Sequence, residues 1–499
     1  MTHAITSLSE LAGYWKANTT PIYFISPTHF NLMGMEHWVG GWTHVNFLDT
    51  CDGHHPNILV PARTESPVFE SMEALNAYLL GHRDFIHRME SDRNGLPTHS
   101  PKSRVMFLFF DDSIESLCRE LDLDIMMPPH NLRTEIDSKV VTTELGNSVG
   151  VSSVPNVLVS VKSYRHLMET AQAHGLGTNL VVQTPYGDSG KTTFFINSES
   201  DYDAVASDIE SQKQVKIMKR IQCLGTAIEA CATRCGTFVG PLMGELIGNP
   251  LLTPYPGGWC GNDLYPDAFG DDIRRQAVSM TQRLGDALYS RGYRGYFEVD
   301  YLLDLQTGAL YLGEINPRIS GVTAMTNLSP FCQHHVPLFL LHLSELSDLP
   351  LDIDPAEFNE QSLTHGADGA TAQFILKYTP EALNMITDAP VSGVYHLSDT
   401  GNLVFERAAV DRRETGPNDL FLLRIMNSGE YAYHGADLAI AFLNIPLIGL
   451  DRQLTPDAAK WIKATRNAFV TRPLTDDEYA IVDRYNNPGV SFKGIGSND

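Results

Sequence analysis

Basic residues are scarce in this sequence. Its 499 residues hold 36 Lys and Arg against 60 Asp and Glu, a formal charge of −24. So acidic a surface repels a nucleic-acid backbone and an anionic bilayer, and excludes both as principal partners. It leaves room for a phosphorylated small molecule held by a few local cations. Long hydrophobic runs are also missing. The most apolar stretches, residues 335–343 and 438–450, fall short of the ~18 residues of a membrane span, and the second contains Pro446. Both are expected to be buried segments. The first 15 residues have neither a cationic start nor an apolar core of signal-peptide length. Seven cysteines are scattered without a Cys-x-x-Cys pair. Reduced thiols in a cytoplasmic protein are therefore expected, not a zinc site or a disulfide framework.

What remains is an ordinary globular composition, 43% hydrophobic and 19% charged, in a chain long enough for two or three domains. There is no internal repeat or low-complexity tract. Residues 21–26 read as a buried strand. Ser66-Pro67 offers a helix start, with serine as cap and proline at the first helical position. Residues 105–110 form a continuous apolar run suited to a parallel strand covered on both faces. Asp112 with Glu115 resembles a capping box, and residues 123–127 read as a further strand stopped by Pro128-Pro129. This rhythm predicts a parallel α/β domain over residues 1–134. A second region, 135–343, carries the chemistry. From residue 344 a polar, acidic stretch reads as a linker. It leads into an α+β domain over 344–499, with strands at 371–378 and 393–397 and a helix at 437–443.

The most informative segment spans residues 294–321, RGYFEVDYLLDLQTGALYLGEINPRISG. Phe297, Val299 and Tyr301 alternate with Glu298 and Asp300, the period of a half-buried strand. Residues 304–308 form a turn ending in Gly308, and a return strand carries Glu314 and Asn316 on one face. If those five residues make the loop, Glu298 pairs directly with Glu314. Like charges so placed repel by up to ~1 kcal/mol, and a hard cation between them reverses the sign. Mg²⁺ (or Mn²⁺) suits such oxygen ligands, with Asn316 adding an amide oxygen. Arg318 follows with a forked cation suited to phosphate.

FEVD with GEINPRISG resembles the strand pair and Glu-x-Asn-x-Arg signature of the ATP-grasp superfamily, in its biotin carboxylase-like branch. The resemblance implies an N-terminal α/β domain, a central ATP-grasp domain with a lid near 150–225, and a C-terminal domain. It implies metal ligation by Glu298, Glu314 and Asn316, ATP as co-substrate, and a catalytic role for Arg318 on the reacting phosphate. Weaker matches extend it. Lys139 resembles a phosphate-contacting lysine. Residues 180–193 resemble the strand and glycine loop that cover the phosphates, with Gln183, Gly187, Gly190 and Lys191. Lys219 and Arg220 fall on the adenine hinge, and Glu229 on the next strand, near the ribose. The family usually has a phosphate-contacting lysine where this chain has Gln183; Lys191 is the expected substitute.

Arg318 is followed by Ile-Ser-Gly-Val-Thr-Ala-Met-Thr-Asn, without the glutamate that deprotonates bicarbonate in biotin carboxylases. The resemblance therefore implies a ligase that joins a small carboxylate, amino-acid-like in kind, to an amine through an acyl phosphate, forming an amide or peptide bond and releasing ADP. A carboxylase or a silent ATP-binding scaffold are the alternatives. Homodimers are common among such relatives, so a second copy is an expected partner. Gly190-Lys191-Thr192 also invites a P-loop reading, but that motif needs glycine where Pro185 stands, and proline lacks the backbone donor. The adjacent His334 and His335 point apart on a helix and are expected to pack or cap.

Overall fold

The computed structural model describes residues 4–63, 67, 69–97, 100–187, 192–413 and 415–479. The first layer is a five-stranded sheet of β1 (Ile22–Ser26), β2 (Trp42–Asn46), β3 (Ile58–Leu59), β4 (Arg104–Phe107) and β5 (Asp124–Ile125), ordered β3-β2-β1-β4-β5. Every pairing is parallel, and β1 is buried along its whole length, as the apolar runs require. Two helix starts differ from expectation. Ser66 lies outside the described residues and Pro67 is in no helix; the helix Met72–Leu80 is capped by Ser71, whose hydroxyl accepts from the Ala74 amide. The helix Asp112–Glu120 is capped by Asp111, not Asp112. Asp111 is still extended and accepts from the Ser113 and Ile114 amides, while Glu115 turns to the amide of His130.

The helix Lys139–Ser148 leads into a small antiparallel sheet of β6 (Asn156–Val159), β7 (Leu180–Gln183), β8 (Thr193–Ile196) and β9 (Val215–Lys219), ordered β6-β9-β7-β8. It has its own core around Leu167, Val182 and Ile217, so it packs as a separate unit, in the span where the resemblance implies a lid. The chain then builds β10 (Cys223–Thr233), β11 (Gly236–Val239), β12 (Met243–Ile247), β13 (Trp259–Leu264), β14 (Gly295–Asp304), β15 (Leu310–Asn316) and β16 (Thr371–Lys377). Further on come β17 (Asn384–Asp388), β18 (Gly393–Leu397), β19 (Leu403–Arg407), β20 (Leu420–Arg424), β21 (Tyr431–Ala432), β22 (Asp437–Leu443) and β23 (Val470–Pro473). One large sheet runs β15-β14-β10-β12-β13-β16-β22-β20-β18-β19, with β11 beside β10. It joins the central region to the C-terminal one through β13 and β16.

Residues 437–443 are thus a strand where a helix was expected. All seven are buried, between β16 and β20; a short apolar run with both edges paired carries no period that separates the two forms. The acidic stretch after 344 is not a loose linker either. It holds the helix Pro355–His365, with Asp354 as cap and proline in its first turn. Fully buried Glu345 binds Arg234 at 3.1 Å and Arg294 at 2.6 Å. Among the described residues no helix is long and apolar enough to cross a membrane.

Candidate functional site

The face of the large sheet under the lid is lined by acids. On β14 and β15, Glu298 lies opposite Asn316 and Asp300 opposite Glu314, with an irregularity after Asp300. The expected Glu298–Glu314 pairing is therefore corrected. The closing pair is Leu303 with Leu310, so Ala309 belongs to the turn, and Gly313 is an extra, bulged residue. A Cβ at Gly313 would lie 2.9 Å from the Asp300 carbonyl oxygen, so only glycine fits without a shift. The slip totals two residues, which preserves the face: Glu298, Asp300, Glu314 and Asn316 still stand together.

Next to β14, β10 sets Glu229 beside Glu298, and Glu245 on β12 approaches the same surface. Burial, then the charges of Glu229 and Glu245, push the Glu298 carboxyl up to about 8. Burial and the charge of Glu314 raise Glu245 to about 7. Asp300 is raised well above the carboxylate range by burial and by Glu298, Glu245 and Glu314. Its Oδ2 accepts from the Asn316 amide at 3.1 Å, but its buried Oδ1 has no partner. Burial would raise Glu314 as well, yet Lys139 holds it below its ordinary value.

Lys139 is the pivot between lid and hairpin. Its ammonium lies 3.0 Å from Glu314 Oε2 and donates to the Gly187 carbonyl at 2.8 Å. Gly187 opens the loop between β7 and β8 with φ +143. Arg318 stands 5.4 Å from the centre of the Phe109 ring, at the carboxyl end of β4. The sheet thus presents carboxylates, and the surrounding segments bring cations over them.

The sequence matches no protein-family model and no curated protein. The structure matches solved ones over most of its length. The biotin carboxylase domain dimer of Hydrogenobacter thermophilus 2-oxoglutarate carboxylase, solved with MgADP, ADP and bicarbonate, aligns with a TM-score of 0.60 at 10% identity, over 92% of each chain. Biotin carboxylase from Campylobacter jejuni aligns at 0.57 and 9% identity, over 94% of this chain and 96% of its own. Carboxyaminoimidazole ribonucleotide synthase from Aspergillus clavatus, complexed with ATP, aligns at 0.50 and 11%, over 90% and 98%. The chain has the ATP-grasp fold. Its arrangement is like that of the biotin carboxylases, with the parallel N-terminal sheet that the sequence predicts and antiparallel sheets beyond it.

Within this ATP-grasp frame the remaining expected residues divide. Gln183 turns its amide to Thr193 Oγ1 at 3.1 Å. Gly190 and Lys191 lie outside the described residues. Lys219 and Arg220 are exposed at the end of β9; Arg220 donates to Asn197 Oδ1 at 2.9 Å and stacks on Phe195, so its side chain serves the lid. Glu229 is corrected. It is fully buried, with Oε1 taken by Ser320 (3.1 Å) and Thr323 (2.6 Å) and Oε2 by the Tyr296 hydroxyl, leaving nothing for a ribose. Burial pushes its carboxyl up to about 7. His335 packs on Phe331, ring centres 4.7 Å apart.

Three residues escaped the sequence reading: Asp300, Glu245 and Lys216. Asp300 shares the period-two face of Glu298, a signal that was present. Glu245 reaches the site only through strand order. Lys216 is fully buried on β9, its ammonium 3.1 Å from Ser153 Oγ and 3.5 Å from the Gly313 carbonyl.

A second polar cluster lies in the N-terminal domain, where Glu36 faces His44 at 3.1 Å and His55 at 3.3 Å. The Asn57 amide donates to His55 Nδ1 and the Trp42 indole to His44 Nε2. His55 therefore carries its proton on Nε2, facing Glu36, and the His44 lone pair is taken. Those donors leave neither the His44 nor the His55 nitrogen that faces Glu36 free to ligate a cation. His37 pairs with Asp411 at 2.9 Å and His29 with the Val410 carbonyl at 3.2 Å, so the cluster ties this domain to residues 410–411.

Proposed function

We propose that this chain is an ATP-dependent ligase that phosphorylates a small carboxylate and joins it to an amine. The observation that carries the reading is the carboxylate face of β14 and β15, with Glu298 buried and Asp300 and Glu314 half-buried, beneath a lid joined to it by Lys139. Crowding acids together away from water, with one lysine paired among them, is costly. Asp300 has an orphaned oxygen, three of the acids are pushed up, and the donors are all oxygen. This set fits Mg²⁺, with Glu298, Asp300, Glu314 and the Asn316 amide as the residues that would hold it. The bound ion would neutralise charge on ATP phosphate oxygens.

The protein's own part is positioning. Lys139 links the Gly187 carbonyl to Glu314, which ties the lid sheet to the carboxylate face and would help to close the site to water. Arg318 offers its guanidinium to the transferring phosphoryl group and then to the acyl phosphate. The carboxylate attacks the γ-phosphorus and ADP leaves; the amine then displaces phosphate to give the amide. Residues 319–327 include no acid, and Ile319 and Val322 are buried, so this segment offers no base for bicarbonate. That favours an amine-joining ligase, with amino-acid-like substrates. A second copy of the chain as partner and a cytoplasmic site of action belong to the same proposal.

The likeness to biotin carboxylases supports a second reading, with bicarbonate as the carboxylate. Product analysis separates the two. The chain is incubated with Mg-ATP and pooled amino acids, or with bicarbonate and biotin, and ADP is resolved from AMP. ADP formed only with amino acids is the expected result. ADP with bicarbonate and biotin installs the second reading; AMP overturns acyl-phosphate chemistry.

A further inference from the structure

Lys216 has an unusual position for a lysine. Its side chain is wholly enclosed, and a buried ammonium needs its three donors matched or its charge paired. The protein supplies one hydroxyl, Ser153 Oγ at 3.1 Å, and one carbonyl, Gly313 at 3.5 Å, beyond the usual range for such a bond. Among the described residues no carboxylate lies within ion-pair distance of it. Its neighbour Lys139, by contrast, is committed to Glu314 and Gly187. Lys216 therefore carries buried donor capacity between the lid and the bulge that precedes Glu314.

Strand register says which gap it fills. On the lid sheet Gln183 of β7 lies directly opposite Lys216 of β9, and residues paired in this way project from the same face. The Gln183 amide is turned toward β8, to Thr193. The face that lacks a cation on β7 therefore receives one from β9.

We propose that Lys216 binds the phosphate chain of the nucleotide, standing in from the neighbouring strand for the cation that position 183 lacks. The assignment rests on the ligase reading only in requiring that the chain bind Mg-nucleotide. A phosphate oxygen would complete the ammonium's coordination and add a directly bonded negative charge to the more distant one of Glu314. Ser153 and Gly313 would hold the stem in place, which makes Lys216 a link between lid closure and phosphate occupancy.

The test is calorimetric binding of Mg-ADP and of adenosine, which lacks phosphate, to the full chain. K216M is expected to weaken Mg-ADP by about 10- to 100-fold, the scale of one charge-assisted hydrogen bond, and to leave adenosine within about twofold. Moving the cation back, in Q183K/K216Q, is expected to recover most of the lost affinity. Equal losses for both ligands would make Lys216 a structural strut and overturn the assignment; so would Mg-ADP affinity in K216M equal to wild type. If K216M does not fold, a folded Q183K/K216Q that binds adenosine but not Mg-ADP overturns the relocation. A wild-type chain that binds no Mg-ADP overturns the ligase reading as well, whereas wild-type binding with an unaffected K216M overturns this assignment alone.

Discussion

The carboxylate hairpin and the lid sheet face each other across the site and are built on opposite principles. The hairpin concentrates like charge within two adjacent strands: Glu298, Asp300 and Glu314 share one face, raised or held by one another and by Lys139. The lid disperses its cations. Lys139 comes from the helix before it, Lys216 from β9 and Arg220 from beyond β9, and each has a different partner. A metal needs several oxygens at one point, which a single hairpin supplies. A triphosphate is extended and accepts a charge from any strand that reaches it. Acid positions should therefore be intolerant of change, and cation positions exchangeable.

The largest expected effect tests the one cation that the hairpin itself carries. Arg318→Ala should lower kcat by on the order of 10²–10³, about 3–4 kcal/mol, the scale for one preorganised electrostatic group. Steady-state kinetics at saturating Mg-ATP measures it. A near-normal turnover would remove Arg318 from the chemistry and blur the contrast between the regions.

Asp300→Asn probes the acid side with two readouts of opposite sign. Removing one of several crowded, half-buried carboxylates should stabilise the metal-free chain, by up to ~1 kcal/mol. The same change should raise the Mg²⁺ needed for half-maximal activity roughly tenfold or more. Thermal unfolding in chelator and an activity titration give the two numbers. A variant less stable without metal would mean that Asp300 serves the strand pairing instead.

Stability in acid separates the regions again. His342 is fully buried; its Nδ1 accepts from the Tyr296 amide at 3.0 Å, so Nε2 carries the proton and donates to the Met126 carbonyl at 2.8 Å. Burial lowers its pKa to about 4. Between the unfolded value near 6.5 and about 4, the unfolded chain binds the proton that the folded one refuses. Stability should therefore fall as pH drops through that window, by about 3 kcal/mol in total for this group. Hydrogen exchange should show β14 loosening before β9, and His342→Gln should flatten the slope. An unchanged slope would assign the acid sensitivity to other groups.

These regions also differ in how far the sequence reveals them. The hairpin is local, so alternation alone gave its face, and a slip of two residues left that face intact although the partners changed. Two local details made the slip: Ala309 joined the turn, and Gly313 bulged. The parallel N-terminal sheet was legible in part for the same reason, β1 and β4 being short apolar runs, whereas β2, with Thr43, His44 and Asn46 along it, and the two-residue β3 carry no such signal. Lys216 was not legible, because its relation to Gln183 exists only through cross-strand register. Glu245 depends in the same way on strand order, and residues 437–443 on pairing along both edges. Glu229 read as a ligand contact because its strand was right, but the hydroxyls that enclose it come from residues 296, 320 and 323.

The smallest expected effect concerns Arg220, where motif likeness and structure disagree most plainly. Likeness to the adenine hinge makes it a nucleotide contact, yet its guanidinium lies on Phe195 and donates to Asn197 on the lid's exposed side. An exposed cation–π contact and one polar bond together contribute on the order of 1 kcal/mol to lid packing. Arg220→Ala should therefore change the KM for ATP by less than about threefold, since its guanidinium is already engaged by Asn197 and Phe195. Its main consequence should be faster exchange of β8 amides, through loss of the link between β9 and Asn197. A KM increase of tenfold or more would return the side chain to the nucleotide, and would show that the lid holds its cations in fixed places after all.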